Sequence, residues 1–180
     1  MFDSLFQREC VMTGDQLARA PPQHVQKHLA KLALKRHMPP TRRNGVPWTG
    51  YQVLSPSARG RVRRHEAFVK RTATHRPRLV CNVCQNPQRY AGTEKIPALL
   101  RRSQLWSMHL QRLLTPLEHF EVQGYPMFPT AGEPAARCSR ALRTLSDRDL
   151  LSLAGNGMHA SCIGISIMFL LALTEVQRDW

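Results

Sequence analysis

A mixed α/β class with a basic, mainly helical N-terminal region is what the sequence predicts, and three observations predict it. Proline stands at helix-start positions in Pro21-Pro22, Ser55-Pro56 and Thr115-Pro116, where its fixed φ suits the first turn and its missing N–H would have had no partner. Arg78 to Val83 reads as a short strand ending before Asn86-Pro87. Charge is uneven: residues 1–80 hold 16 basic and 4 acidic side chains, residues 81–180 hold 10 and 8. The expected organisation is a basic helical region over residues 1–77 followed by a second unit over residues 78–180.

Taken in order, the first predicted helix runs from Pro22 to about His37, with Val25, Leu29 and Leu32 on one face and Lys27, Lys31 and Lys35 on another. Pro39-Pro40 stops it, and Thr41 to Gly50 reads as loop. A second helix runs from Pro56 to about Arg71 with Ser55 as N-cap, Val62, Phe68 and Val69 packing, and Arg59, Arg61, Arg63, Arg64, Lys70 and Arg71 outward. Ile96 to Leu110 fits either a strand or a short helix. Thr115-Pro116-Leu117-Glu118 is a capping box: hydroxyl and carboxylate each take a backbone N–H at the start of a short helix that Gly124 ends. Met127 to Leu145, rich in Pro, Ala and Arg, reads as surface loop. Ser146-Asp147-Arg148-Asp149 opens another helix with Gly155 expected just past its end. Met158 to Leu173 is too interrupted to span a bilayer, which needs about 18 apolar residues in a row, and is expected to be a buried core helix.

Five cysteines, an odd number, and no signal peptide at Met1-Phe2-Asp3-Ser4 predict reduced thiols in a nuclear or cytoplasmic protein that is not secreted. Cys81 and Cys84 have zinc-knuckle spacing, but a closed site needs four ligands and the other cysteines are scattered singly, so no metal is expected. Trp48, Trp106, Trp180, Met158, Met168 and Phe169 are expected in the core, and His24, His28 and His37 in solvent. The first 80 residues have the electrostatic footprint of a polyanion binder, with Arg61, Arg63 and Arg64 as candidate phosphate contacts.

Three segments go beyond generic folding signals. Gln85-Asn86-Pro87-Gln88-Arg89 comes first. Arg112-Leu113-Leu114-Thr115-Pro116-Leu117-Glu118 follows and leads to Gln123-Gly124-Tyr125-Pro126. Ala154-Gly155-Asn156-Gly157-Met158-His159 precedes the terminal apolar run. In type, order and spacing these resemble the closing sequence blocks of the DNA cytosine-5 methyltransferases. The resemblance covers residues 78–180 and implies the C-terminal portion of an S-adenosyl-L-methionine-dependent methyltransferase fold, with DNA as partner and the catalytic portion preceding it.

Carried over on that resemblance, Gln85 and Arg89 would lie near a flipped cytosine and its backbone. Arg112, Thr115 and Glu118 would order the segment joining recognition and catalytic regions. Gly155 and Asn156 would form a wall of the cofactor pocket, and the helix after Met158 would pack on the sheet. No catalytic residue is assigned. Val83 stands before Cys84-Gln85 where the family's nucleophile loop has proline, and no glycine-rich cofactor loop precedes it. The expectation is a methyltransferase homologue inactive by itself. The rival readings are a non-enzymatic basic nucleic-acid-binding module and a peripheral membrane protein held by its basic helices and apolar end.

Overall fold

Proline placement and cap chemistry set the helices, and a small sheet joins them. The computed structural model describes residues 18–72, 80–86, 96–97, 99–129, 139–157 and 160–173. Helices α1 (Pro22–Leu34) and α2 (Pro56–Thr72) lead into strands β1 (Val80–Asn82), β2 (Leu105–Ser107) and β3 (Arg112–Leu113). Helices α3 (Pro116–Val122), α4 (Ser139–Leu142), α5 (Asp147–Asn156) and α6 (Ala160–Leu173) follow. Helices with a small three-stranded sheet keep the molecule within the broad α/β class.

Helix α1 ends three residues earlier than expected, because His37 takes a left-handed φ of 56° and the Met38 N–H turns back to the Ala33 carbonyl at 3.0 Å. Its buried residues are Leu29 and Ala33, with Val25 and Leu32 packed beside them. Helix α2 begins as predicted: Ser55 Oγ accepts the Ala58 N–H at 3.0 Å.

The sheet is antiparallel in the order β1-β2-β3, with Cys81 opposite Trp106 and Trp106 opposite Leu113. Alternation sends these three to one face, where they pack on Leu54, Ala58 and Val62. Val80, Leu105 and Leu114 pack on the other face with Ile96, Leu99 and Val122. Both faces of a three-strand sheet are therefore covered. The undecided stretch from Ile96 to Leu110 contains β2, and Trp106 is fully buried as expected.

Three expectations are corrected. Helix α5 does not stop before Gly155 but runs through Asn156, with Gly157 as C-cap. Start of the expected surface loop is buried instead: Met127 and Phe128 join Phe120, Leu150 and Ala154 in a core cluster. They are held because Glu121 Oε1 accepts both their N–H groups and Arg143 bonds the Met127 carbonyl at 2.7 Å while lying over the Phe128 ring. Helix α6 forms where the apolar run predicts, yet it is not a core helix. Ile165, Ile167, Met168, Leu170 and Leu171 are exposed, Met168 by 71%. No helix among the described residues is long and apolar enough to cross a membrane.

Candidate functional site

The first constellation is built around one carboxylate. Thr115 caps α3 with Oγ1 accepting the Glu118 N–H at 3.3 Å, and Glu118 Oε2 accepts the Thr115 N–H at 2.7 Å. That fixes the Glu118 side chain over the end of β3, where Arg112 Nη1 and Nη2 donate to Oε2 and Oε1, both at 2.8 Å. The Ala20 N–H adds a fourth bond at 3.0 Å, tying the segment before α1 to the same oxygens. Four donors match the acceptor capacity of a carboxylate. Burial alone would raise the Glu118 pKa, but the Arg112 pairing and the two backbone N–H bonds outweigh it and hold the acid below its ordinary value. The group stays ionised.

Next to it, His119 is buried and its pKa is pushed down to about 4 by desolvation, only partly countered by Glu118. Helix α1 joins this region through Asp147, which lies 3.5 Å from His28 Nδ1 and 2.9 Å from Lys31 Nζ. The nearby His28 imidazole and the Lys31 ammonium draw the Asp147 pKa well below the carboxylate range against its burial. His28 is therefore an interface residue, not the solvated one expected. His24 lies edge-on to Phe128 with ring centres 5.4 Å apart, while His37 is exposed as expected.

Two of the segments singled out in the sequence meet here. Gln123 Nε2 donates to the Ala154 carbonyl and, at 3.2 Å, to the Gly157 carbonyl. Helix α5 also lies directly on the turn at residues 100–101. A methyl group at Gly155 would sit 2.3 Å from Leu100 C and from Arg101 N, so only glycine allows that approach. The α-carbon face of Gly155 is thus filled by the chain itself, whereas Asn156 at the helix end is exposed.

The basic helix is the second constellation. Arg63 and Arg64 are exposed on α2, together with Lys70 and Arg71. Arg61 is committed further inward, donating to the Val83 carbonyl at 3.0 Å, and Arg63 Nε donates to the Tyr51 hydroxyl at 2.7 Å. Gln85 is half-buried, its N–H bonded to the Asn82 carbonyl at 3.0 Å at the end of the β1 turn. Arg89 lies outside the described residues, as do Trp180 and Met158 and the side chain of Phe169. Trp48 is half-buried, its Nε1 bonded to the Pro39 carbonyl at 2.8 Å.

The two close cysteines part company: Cys81 is buried in the sheet core, its thiol pKa pushed up to about 12 by desolvation, while Cys84 is exposed with its Sγ 3.4 Å from the Arg102 carbonyl. Among the described residues no three His, Cys, Asp or Glu side chains gather as for a metal. Glu121, which holds Met127 and Phe128, had no sequence signal. Gln123 had one, its place in the block before Gly124-Tyr125-Pro126, but only the fold shows what it joins. No protein-family model, curated protein or solved structure matches this chain.

Proposed function

We propose that this chain is the C-terminal portion of a DNA cytosine-5 methyltransferase homologue, directed to DNA and transferring no methyl group by itself. One observation carries the reading: the Gln123 carboxamide bonds the Ala154 and Gly157 carbonyls, so the two blocks that resemble the family form one structural unit. Arg112, Thr115 and Glu118 bond one another at the start of α3, which supports their assigned role as the organising element.

In such an enzyme S-adenosyl-L-methionine supplies the methyl group. Of the two residues assigned to its pocket, Asn156 fits, because it is exposed and its amide can both donate and accept. Gly155 does not fit as a ligand wall on its α-carbon face, since that space is occupied by Leu100 and Arg101. Its role is to let α5 close on the turn. Arg63 and Arg64 would bind backbone phosphates, with Arg61 holding α2 to the sheet and Gln85 at the adjoining turn.

Two measurements test the proposal. Labelled S-adenosyl-L-methionine incubated with this chain and cytosine-containing duplex should leave the DNA unlabelled. In a chain extended by a preceding catalytic portion, Asn156→Ala should weaken cofactor binding in calorimetry while leaving the thermal midpoint nearly unmoved. Equal cofactor affinities would favour the second reading, a basic nucleic-acid-binding module, for which the exposed Arg63, Arg64, Lys70 and Arg71 on α2 are the supporting observation.

A further inference from the structure

A second cationic feature lies away from α2, in the half of the chain whose formal charge is nearly balanced. The turn at residues 100–103 carries Arg101 and Arg102 outward and is held from inside. Ser103 Oγ accepts the Leu100 N–H at 2.7 Å and the buried Asn82 Nδ2–H at 2.8 Å, and the Ser103 N–H returns to the Leu100 carbonyl at 2.8 Å. From the other side the turn is pressed by Gly155 of α5. Arg101 Nε donates to Ser152 Oγ at 3.1 Å, closing the turn onto the helix.

Between turn and helix lies an open cleft of about 380 Å³ lined by Arg101, Arg102, Ser146, Arg148, Asp149 and Ser152. Three arginines and one aspartate line it, and Asp149 Oδ2 accepts from the Ser146 hydroxyl at 2.6 Å. Two buried anchors, Asn82 and Ser103, thus serve a turn whose exposed product is a pair of arginines. Like charges brought together this way repel unless an anion lies between them, and planar guanidinium groups suit phosphate oxygens in particular.

We propose that this cleft is a binding site for a phosphate group, with Arg102 and Arg148 as its principal donors, Arg101 tying the turn to the helix through Ser152, and the Ser152 hydroxyl as a secondary donor. The inference stands on the cleft alone and does not need the methyltransferase reading. The phosphate can come from a free phosphorylated molecule or from a nucleic-acid backbone, and the two sources separate experimentally.

The test compares two charge-matched double variants: Arg102→Gln with Arg148→Gln in the cleft, and Arg63→Gln with Arg64→Gln on α2. All four side chains are exposed, and circular dichroism checks that both variants remain folded. Inorganic phosphate is titrated by calorimetry at low ionic strength. Saturable binding that falls at least tenfold in the cleft variant and less than twofold in the α2 variant is expected. Binding that never saturates, or that falls equally in both, overturns the site. A labelled DNA duplex then identifies the source: a cleft variant that also loses DNA affinity, with a log-log salt slope smaller by about 0.9 per lost contact, assigns the site to backbone phosphate. Retained DNA affinity with lost phosphate binding assigns it to a free phosphorylated ligand.

Discussion

The junction around Glu118 and the helix α6 invert the usual distribution of side chains. At the junction an ionised carboxylate, its arginine and a neutral histidine are buried; in α6 five large apolar side chains stand in solvent. The first inversion is accounted for within the chain, because each Glu118 oxygen has two donors. For the second, the described residues supply no cover, and a helix that is apolar all round is normally enclosed by protein or lipid. The contrast teaches that burial of charge here is completed locally, whereas among the described residues the apolar helix α6 has no cover.

The sharpest way to break this contrast is to remove one partner of the buried pair. Glu118→Ala leaves the Arg112 guanidinium and the Thr115 and Ala20 N–H groups without their acceptor, and a cost of about 3–5 kcal/mol is expected, enough to threaten folding. Urea denaturation of Arg112→Met with Glu118→Met should show a much smaller loss, since no lone charge then remains buried. A double variant as unstable as the single one would show that packing rather than charge holds the junction.

Acidification should weaken the same region. His119 is neutral in the fold with a pKa of about 4 against 6.5 for the free group, so the unfolded chain binds the extra proton first. Stability is complete above pH 6.5, declines as pH falls towards 4 and then levels for this group, a loss on the order of 3 kcal/mol. Glu118 and Asp147, both shifted down, add their losses at lower pH still, below the ordinary carboxylate range. Thermal midpoints of wild type and His119→Gln between pH 7 and 5 check this: the variant should lose most of the early slope.

A methyl group at Gly155 probes how closely α5 must approach the turn. Gly155→Ala raises helix propensity but forces the helix off the Leu100–Arg101 backbone, and a net loss of about 1–3 kcal/mol is expected. A gain in midpoint would mean that the approach relaxes freely. The smallest effect belongs to the other side of the contrast. Ile167→Ser with Met168→Ser should change the unfolding free energy of this chain by about 0.5 kcal/mol or less and raise its solubility. A loss of several kcal/mol would show that α6 is packed in solution.

Local signals were legible wherever the residues making the structure are neighbours in sequence. The Thr115–Glu118 capping box, the Ser55 and Ser146 caps, the proline starts of α1 and α2 and the end of α3 near Gly124 all involve groups within one helical turn, so spacing alone specifies their contacts. Burial of Trp106 followed from size and apolarity. What escaped the sequence depends on partners far along the chain: β2 within an ambiguous stretch, Met127 and Phe128 drawn inward by Glu121, His28 engaged by Asp147, and Gly155 serving as a packing contact inside a helix.

The sequence by itself determined the helix starts, the β1 segment, the uneven charge and the two late blocks Arg112–Pro126 and Ala154–His159, because each rests on residue type and short-range spacing. Only the tertiary structure decided that those blocks meet through Gln123, that Ala20 shares the Glu118 carboxylate across 98 residues, that Arg102 and Arg148 line one cleft, and that α6 stands exposed. An apolar run states that a helix wants cover. Whether it gets cover depends on which surfaces the rest of the chain has left over, and that is a property of packing that no local pattern encodes.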